Sequence, residues 1–198
     1  MATPRKKSKA SVDRERIRKE VWPQDDAWTG EDEVGWFFAP RTLPLILNLL
    51  DSKEVSEDLK PSLVYLDLWS RHVDGGVVVM ASAEEHAFAA GYRSSRGVRT
   101  WQERMRKLEE LGFIKTHQIG NKQYKYTLLI HPTTAVQGLR DRGMVSDLWW
   151  NTYRDRQREA KEPSYEERQQ AKNPPNVVKM PRKELGESTR TPKAAQGG

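Results

Sequence analysis

Between residues 42 and 153 the apolar positions of this chain recur in short, distinct patterns, and outside that span they thin out. Leu43, Ile46, Leu47 and Leu50 follow helical spacing behind Thr42, a residue type that caps helices, and Pro44 is tolerated in a first turn. The pattern predicts a short helix over 42–53. Pro61 opens another, in which Leu63, Val64, Tyr65, Leu66, Leu68 and Trp69 leave little polar face, as in a buried helix. Asp74-Gly75-Gly76 stops it, and the β-branched run at 77–80 suits a strand. Ser82 with Glu85 three residues later reads as a capping box for a helix running to Gly91. A further helix covers 96–111, with Gly112 at the usual stop position. Residues 113–119 and 123–130 read as two strands joined at Gly120-Asn121-Lys122. Two more helices follow: 134–142, ended by Gly143, and one from Ser146 with Val145, Leu148, Trp149 and Tyr153 on one side, continuing through the charged 154–161.

Taken in order, residues 61–131 give helix, strand, helix, helix, strand, strand, the order of a winged helix-turn-helix. The expected fold class is α+β, mainly α: a winged helix-turn-helix domain with extra helices on its N- and C-terminal sides and disordered tails. Residues 21–60 form a Trp-rich extension ending in the short helix. Its Trp22, Trp28, Trp36, Phe37 and Phe38 lack periodicity and are expected to drape over the core. Residues 132–161 carry the C-terminal helices. The ends, 1–20 and 162–198, hold too few apolar groups to offset the entropy of ordering, and both are expected to be disordered.

Composition narrows this picture by exclusion. With no cysteine, disulfides and thiolate metal sites are ruled out. No stretch reaches the roughly 18 apolar residues of a membrane span, and no apolar run follows the basic N-terminus. The expectation is a soluble, cytoplasmic protein with no membrane partner. The net charge of +6 matters mainly through its placement. Residues 1–20 hold eight Lys/Arg against three acids, and 91–107 hold six against Glu103 alone, so a basic arm and a basic folded element both suit a polyanion. Residues 24–33 reverse the sign with five acids.

At 100° per residue, Val98, Trp101, Met105 and Leu108 share one stripe of helix 96–111, which must pack on the core. The other side carries Arg96, Arg99, Thr100, Glu103, Arg106 and Lys107. Arg can engage guanine O6 and N7, Thr a thymine methyl, and Glu the cytosine N4 amine. Lys and the remaining Arg would neutralise phosphates and set position. On the hairpin, Lys115, His117, Gln118, Asn121, Lys122, Gln123 and Lys125 offer positive and amide groups to phosphates or a minor groove. A plainer reading makes those lysines guards of a sheet edge. The 91–97 loop adds Arg93, Ser94 and Ser95 as contacts to the backbone of a duplex.

The run Arg106-Lys107-Leu108-Glu109-Glu110-Leu111-Gly112-Phe113-Ile114 resembles the end of the recognition helix and the first wing strand of bacterial winged-helix regulators. It also resembles replication-initiator proteins of plasmids and other mobile elements. Residues 82–91 resemble the first helix of their helix-turn-helix, and 124–129 the returning wing strand. The resemblance implies a double-stranded DNA partner, and a role in transcription regulation or in the replication or maintenance of a mobile element. It implies association with nucleoid or plasmid. One departure stands out: the usual tight turn between the two helices is replaced by Gly91-Tyr92-Arg93-Ser94-Ser95-Arg96-Gly97.

Catalytic patterns are thin. No Gly-Lys-Ser/Thr follows the 91–97 loop, as a phosphate loop needs. His72, His86, His117 and His131 are dispersed, without metal-ligand spacing. The acids Asp25, Asp26, Glu31, Asp32 and Glu33 form a run better read as solvated surface, and no Ser stands in a nucleophile elbow. The expectation is a sequence-specific double-stranded DNA-binding protein, not an enzyme, with no cofactor and no metal. A homodimer through the 146–161 helix is expected from the stripe of Trp149 and Tyr153. The alternatives are a winged-helix module that binds another protein, through the Trp-rich segment or Trp149-Trp150, and a nonspecific nucleic-acid binder.

Overall fold

The computed structural model describes residues 9–21, 23, 35, 37–72 and 75–173. The described chain is mainly helical, with one small antiparallel sheet. Helix α1 spans Lys9–Val21, α2 Leu43–Leu50, α3 Lys53–Ser56 and α4 Ser62–Arg71. Strand β1 (Val77–Val79) leads to α5 (Ala83–Ala89) and α6 (Gly97–Glu110), followed by β2 (Ile114–Ile119) and β3 (Lys122–Leu129). Helices α7 (Pro132–Asp141), α8 (Asp147–Ala160) and α9 (Tyr165–Lys172) complete the described order. From α4 to β3 the elements come in the order expected from the hydrophobic pattern. No helix among the described residues is long and apolar enough to cross a membrane.

The core gathers where three helices meet. Ile46 and Leu50 of α2, Val64, Tyr65 and Leu68 of α4, and Trp101, Met105 and Leu108 of α6 are at most 1% exposed. Tyr65 meets Phe113 edge to face at 5.2 Å. Each such side chain contributes roughly 1.5–3 kcal/mol by leaving water. The stripe expected on α6 is thus the face that packs, with Val98 half-buried at its margin.

The strands order as β1-β3-β2. Val77 pairs with Leu128 and Val79 with Tyr126, so these four share the outer face, while Val78 and Thr127 point inward and are buried. In a regular strand Tyr124 and Tyr126 would share a face. They do not, because the β2–β3 register shifts: His117 pairs with Tyr126 but Ile119 with Lys122, leaving three β3 residues opposite Gln118. The bulge turns Tyr124 inward onto Trp101, edge to face at 5.3 Å, and leaves Tyr126 outside, stacked on His117.

Several expectations are corrected. Thr42 does not cap α2 through its own hydroxyl; its backbone is already helical. The Glu162 carboxylate does the work instead, accepting from the Thr42 N–H at 3.1 Å and from its hydroxyl at 2.7 Å. The helix expected over 42–53 ends at Leu50, and a separate short helix, α3, begins at Lys53. Helix α1 lies where a disordered arm is expected, supported by i,i+4 pairs of Lys19 with Glu15 and Arg16 with Glu20. Helix α9 lies in the expected C-terminal tail, because Ser164 and Glu167 form a full capping box. Residues 1–8 and 174–198, and Trp22, Trp28 and Trp36, fall outside the described residues; Phe38 is 77% exposed and covers little of the core.

The stripe on which the dimer expectation rests is used within the chain. Tyr153 is 1% exposed and stacks on Trp149 at 5.1 Å. Trp150 is flanked by the guanidinium groups of Arg140 and Arg154, each 5.7 Å from a ring centre. Buried Tyr153 and Gln157 give the charged half of α8 an inner face, which the sequence pattern did not show.

Candidate nucleic-acid interface

The outward face of α6 depends on how α4 and α5 hold that helix. Ser82 caps α5 by accepting from the Glu85 N–H, but the Glu85 carboxylate turns away to Arg71 at 2.7 Å. Arg71 also donates to Asp67, and the other Asp67 oxygen lies 2.6 Å from His86 Nδ1. His86 is 1% exposed and stacks on Trp101, so this chain of groups ties α4, α5 and α6 together. Burial alone would push the Asp67 carboxyl up, yet the hydrogen bonds from His86 and Arg71 outweigh it and hold it below the usual carboxylate range. The histidine that seemed isolated in sequence is therefore a structural partner, 19 residues from its acid.

The loop between α5 and α6 is closely built. Gly91 turns the chain at φ 88°, and Tyr92 N–H donates to the Ala87 carbonyl at 2.8 Å. Gly97 N–H donates to the Ser94 carbonyl at 2.8 Å, and a Cβ on Gly97 would meet the Tyr92 carbonyl oxygen at 2.3 Å. Only glycine lets α6 begin so close to Tyr92. Arg104 lies over the Tyr92 ring, and Arg93 over the Phe88 ring at 5.0 Å. Arg93, Ser94, Ser95 and Arg96 are all exposed on this turn.

Along α6, Arg99 stands free of the body, with a side chain 81% exposed and only a 3.4 Å contact to Glu103. Glu103 is also held by Arg104 at 3.3 Å. Thr100 is half-buried, and its carbonyl accepts from Arg104. Arg106 is exposed and lies beside the Tyr124 hydroxyl. Lys107 departs from expectation: it is only 8% exposed, and its ammonium lies 3.2 Å from Glu110. It occupies the flank of α6, in a shallow cleft shared with Glu57 and Leu59 of the α3–α4 connection. Its charge is thus spent locally. The cationic character of the surface shifts toward the N-terminal half of α6 and the loop before it.

The hairpin is fastened to α6 by Glu109, one of whose oxygens accepts from both the N–H and the hydroxyl of Thr116. Lys115, Gln118, Asn121, Lys122 and Gln123 are exposed; Lys125 is half-buried and donates to the Met80 carbonyl. Gln118 folds back on the turn, donating to the Gly120 carbonyl at 2.7 Å. Of the expected residues, Arg93, Ser94, Ser95, Arg96, Arg99, Arg106, Lys115, Gln118, Asn121, Lys122 and Gln123 are exposed, Thr100, Glu103 and Lys125 are half-buried, and Lys107 is buried.

Gln102 was not among the expected residues. It lies on α6 at the cleft shared with the hairpin, and its backbone carbonyl accepts from the Tyr124 hydroxyl at 3.4 Å. On a helical projection it sits 40° from Val98, beside the apolar stripe, where neither a core nor a surface role is indicated. Compared with known proteins, this chain matches no family model, no curated protein and no solved structure.

Proposed function

We propose that the chain is a sequence-specific double-stranded DNA-binding protein whose residues 61–131 act as a winged helix-turn-helix. In this reading α5 and α6 are the helix pair, α6 enters the major groove and the β2–β3 hairpin is the wing. The observation that carries it is the two-sidedness of α6: Trp101, Met105 and Leu108 fix one face, while Arg96, Arg99 and Arg106 stand exposed on the other. Arg93 before the helix and Lys115 and Lys122 on the hairpin extend the same charge, suited to phosphates. Regulation of transcription, or replication or maintenance of a mobile element, is the role this activity would serve.

The test is selection from a random duplex pool, followed by titration of the selected and scrambled duplexes at two salt concentrations. Arg99→Ala should reduce the preference for the selected duplex by roughly 1–3 kcal/mol, whereas losing a phosphate contact weakens all duplexes alike. Unchanged binding in both Arg99→Ala and Arg106→Ala would remove α6 from the interface. The second reading, a module that docks another protein, is favoured by one observation. Val77, Val79, Tyr126 and Leu128 form an exposed apolar face on the sheet.

A further inference from the structure

A cleft of about 440 Å³ opens between the start of α5, the middle of α6 and the tip of the hairpin. Its size falls within the range of small-ligand sites, roughly 300–1,000 Å³. Trp101 and Tyr124, set edge to face at 83° and almost wholly buried, lie beneath its floor. Three side-chain amides, Gln102, Asn121 and Gln123, line it together with Lys122. Among the described residues none of these four side chains has a hydrogen-bond or ion-pair partner. Their neighbours Gln118 and Lys125 are engaged with backbone carbonyls. Three amides and one ammonium without a protein partner therefore line one concave space.

The chemistry of that lining is specific. A carboxamide offers a donor and an acceptor side by side, the complement of the N6 and N7 edge of adenine. We propose that this cleft binds an unpaired nucleobase, adenine in preference, through Gln102, Asn121 and Gln123, with Lys122 beside its phosphate. A base in a duplex cannot enter, so the occupant is either a free nucleotide or an unpaired base at a strand end. Of the arginines and lysines proposed to contact the duplex, only Lys122 also lines this cleft.

Equilibrium dialysis of the full chain against adenosine, adenosine 5′-monophosphate and ribose 5-phosphate tests it. Adenosine and its monophosphate should bind, and ribose 5-phosphate should not displace adenosine. Gln102→Leu and Gln123→Leu should each weaken adenosine binding about tenfold, the loss expected for one bidentate base contact. Lys122→Ala should weaken the monophosphate and leave adenosine unchanged. Because Gln123 is exposed on the hairpin, its variant keeps the test valid should Gln102→Leu fail to fold. A second arm compares a blunt duplex with the same duplex bearing one unpaired 3′ adenosine. A gain from the overhang that Gln102→Leu abolishes assigns the site to a strand end. Adenosine binding without that gain assigns it to a free nucleotide. Displacement by ribose 5-phosphate, or the absence of both adenosine binding and overhang gain, overturns the proposal. Adenosine binding with no blunt-duplex affinity would instead defeat the duplex reading and leave this one standing.

Discussion

Replacing Gly97 by alanine would measure how tightly the turn before α6 is built. The new Cβ would lie 2.3 Å from the Tyr92 carbonyl oxygen, well inside the 3.0 Å that real Cβ contacts respect. The obstacle is backbone, not the end of a flexible side chain. It is also anchored: Tyr92 N–H is bonded to Ala87, and Arg104 covers its ring. The loop must therefore move as a unit, at an overpacking cost of about 1–3 kcal/mol. Better helix propensity returns at most about 1 kcal/mol. A net loss near 1–2 kcal/mol should lower Tm by roughly 2–8 °C, since each kcal/mol shifts a chain of this size by about 2–4 °C. Gly138→Ala is the internal control, because open space surrounds that position in α7 and the same propensity gain acts unopposed. Differential scanning calorimetry should show the two variants moving in opposite directions. A Gly97→Ala Tm at or above wild type would refute the close-packed turn. Because Arg93 and Arg96 ride on that turn, duplex affinity should fall with the Tm.

Three further outcomes are expected. Asp67→Asn should cost roughly 1.5–3 kcal/mol at neutral pH, the worth of hydrogen bonds to a charged group. Since the folded-state carboxyl is held below its ordinary value of 3.8, the wild-type advantage should be complete above that pH and fade as pH falls through the lower folded value, as paired urea titrations would show. Glu162→Ala should cost about 1–2 kcal/mol, like the loss of an N-cap, with urea midpoints as the readout; an unchanged midpoint would mean water caps α2 equally well. Lys107→Ala should leave duplex affinity and its salt dependence unaltered, whereas Arg106→Ala should reduce the salt slope by about 1; the reverse order would show that Lys107 leaves Glu110 on binding.

What the sequence made legible was whatever repeats locally. The stripe of Trp101, Met105 and Leu108 is a 3.6-residue period, and the Ser82 and Gly112 boundaries rest on backbone chemistry within one turn. What escaped depends on distant partners. Thr42 has the composition of a cap, but its use is decided by Glu162. Lys107 projects to a flank of α6 whose covering, the α3–α4 connection, no helical wheel contains. Tyr124 and Tyr126 alternate in sequence, and only a register shift in the paired strand separates their faces. Trp149 and Tyr153 looked like an unsatisfied stripe because their neighbours come from elsewhere in the chain. On the candidate surface, the exposed arginines were readable and the amides of the cleft were not grouped, since Gln102 meets Asn121 and Gln123 only in three dimensions.

The bond between Glu162 and Thr42 closes a loop of 120 residues around most of the described body. Closing so long a loop costs little more than closing a short one, about 0.6 kcal/mol for each doubling of length. Such a clasp makes the two ends of that loop one cooperative unit. If the segment after α8 lifts, the Thr42 amide at the head of α2 loses its acceptor at the same moment, although no covalent neighbour has moved. Hydrogen exchange at the Thr42 amide should therefore report the docking of residues 160–163, and a protease cut between α8 and α9 should be felt first at the start of α2.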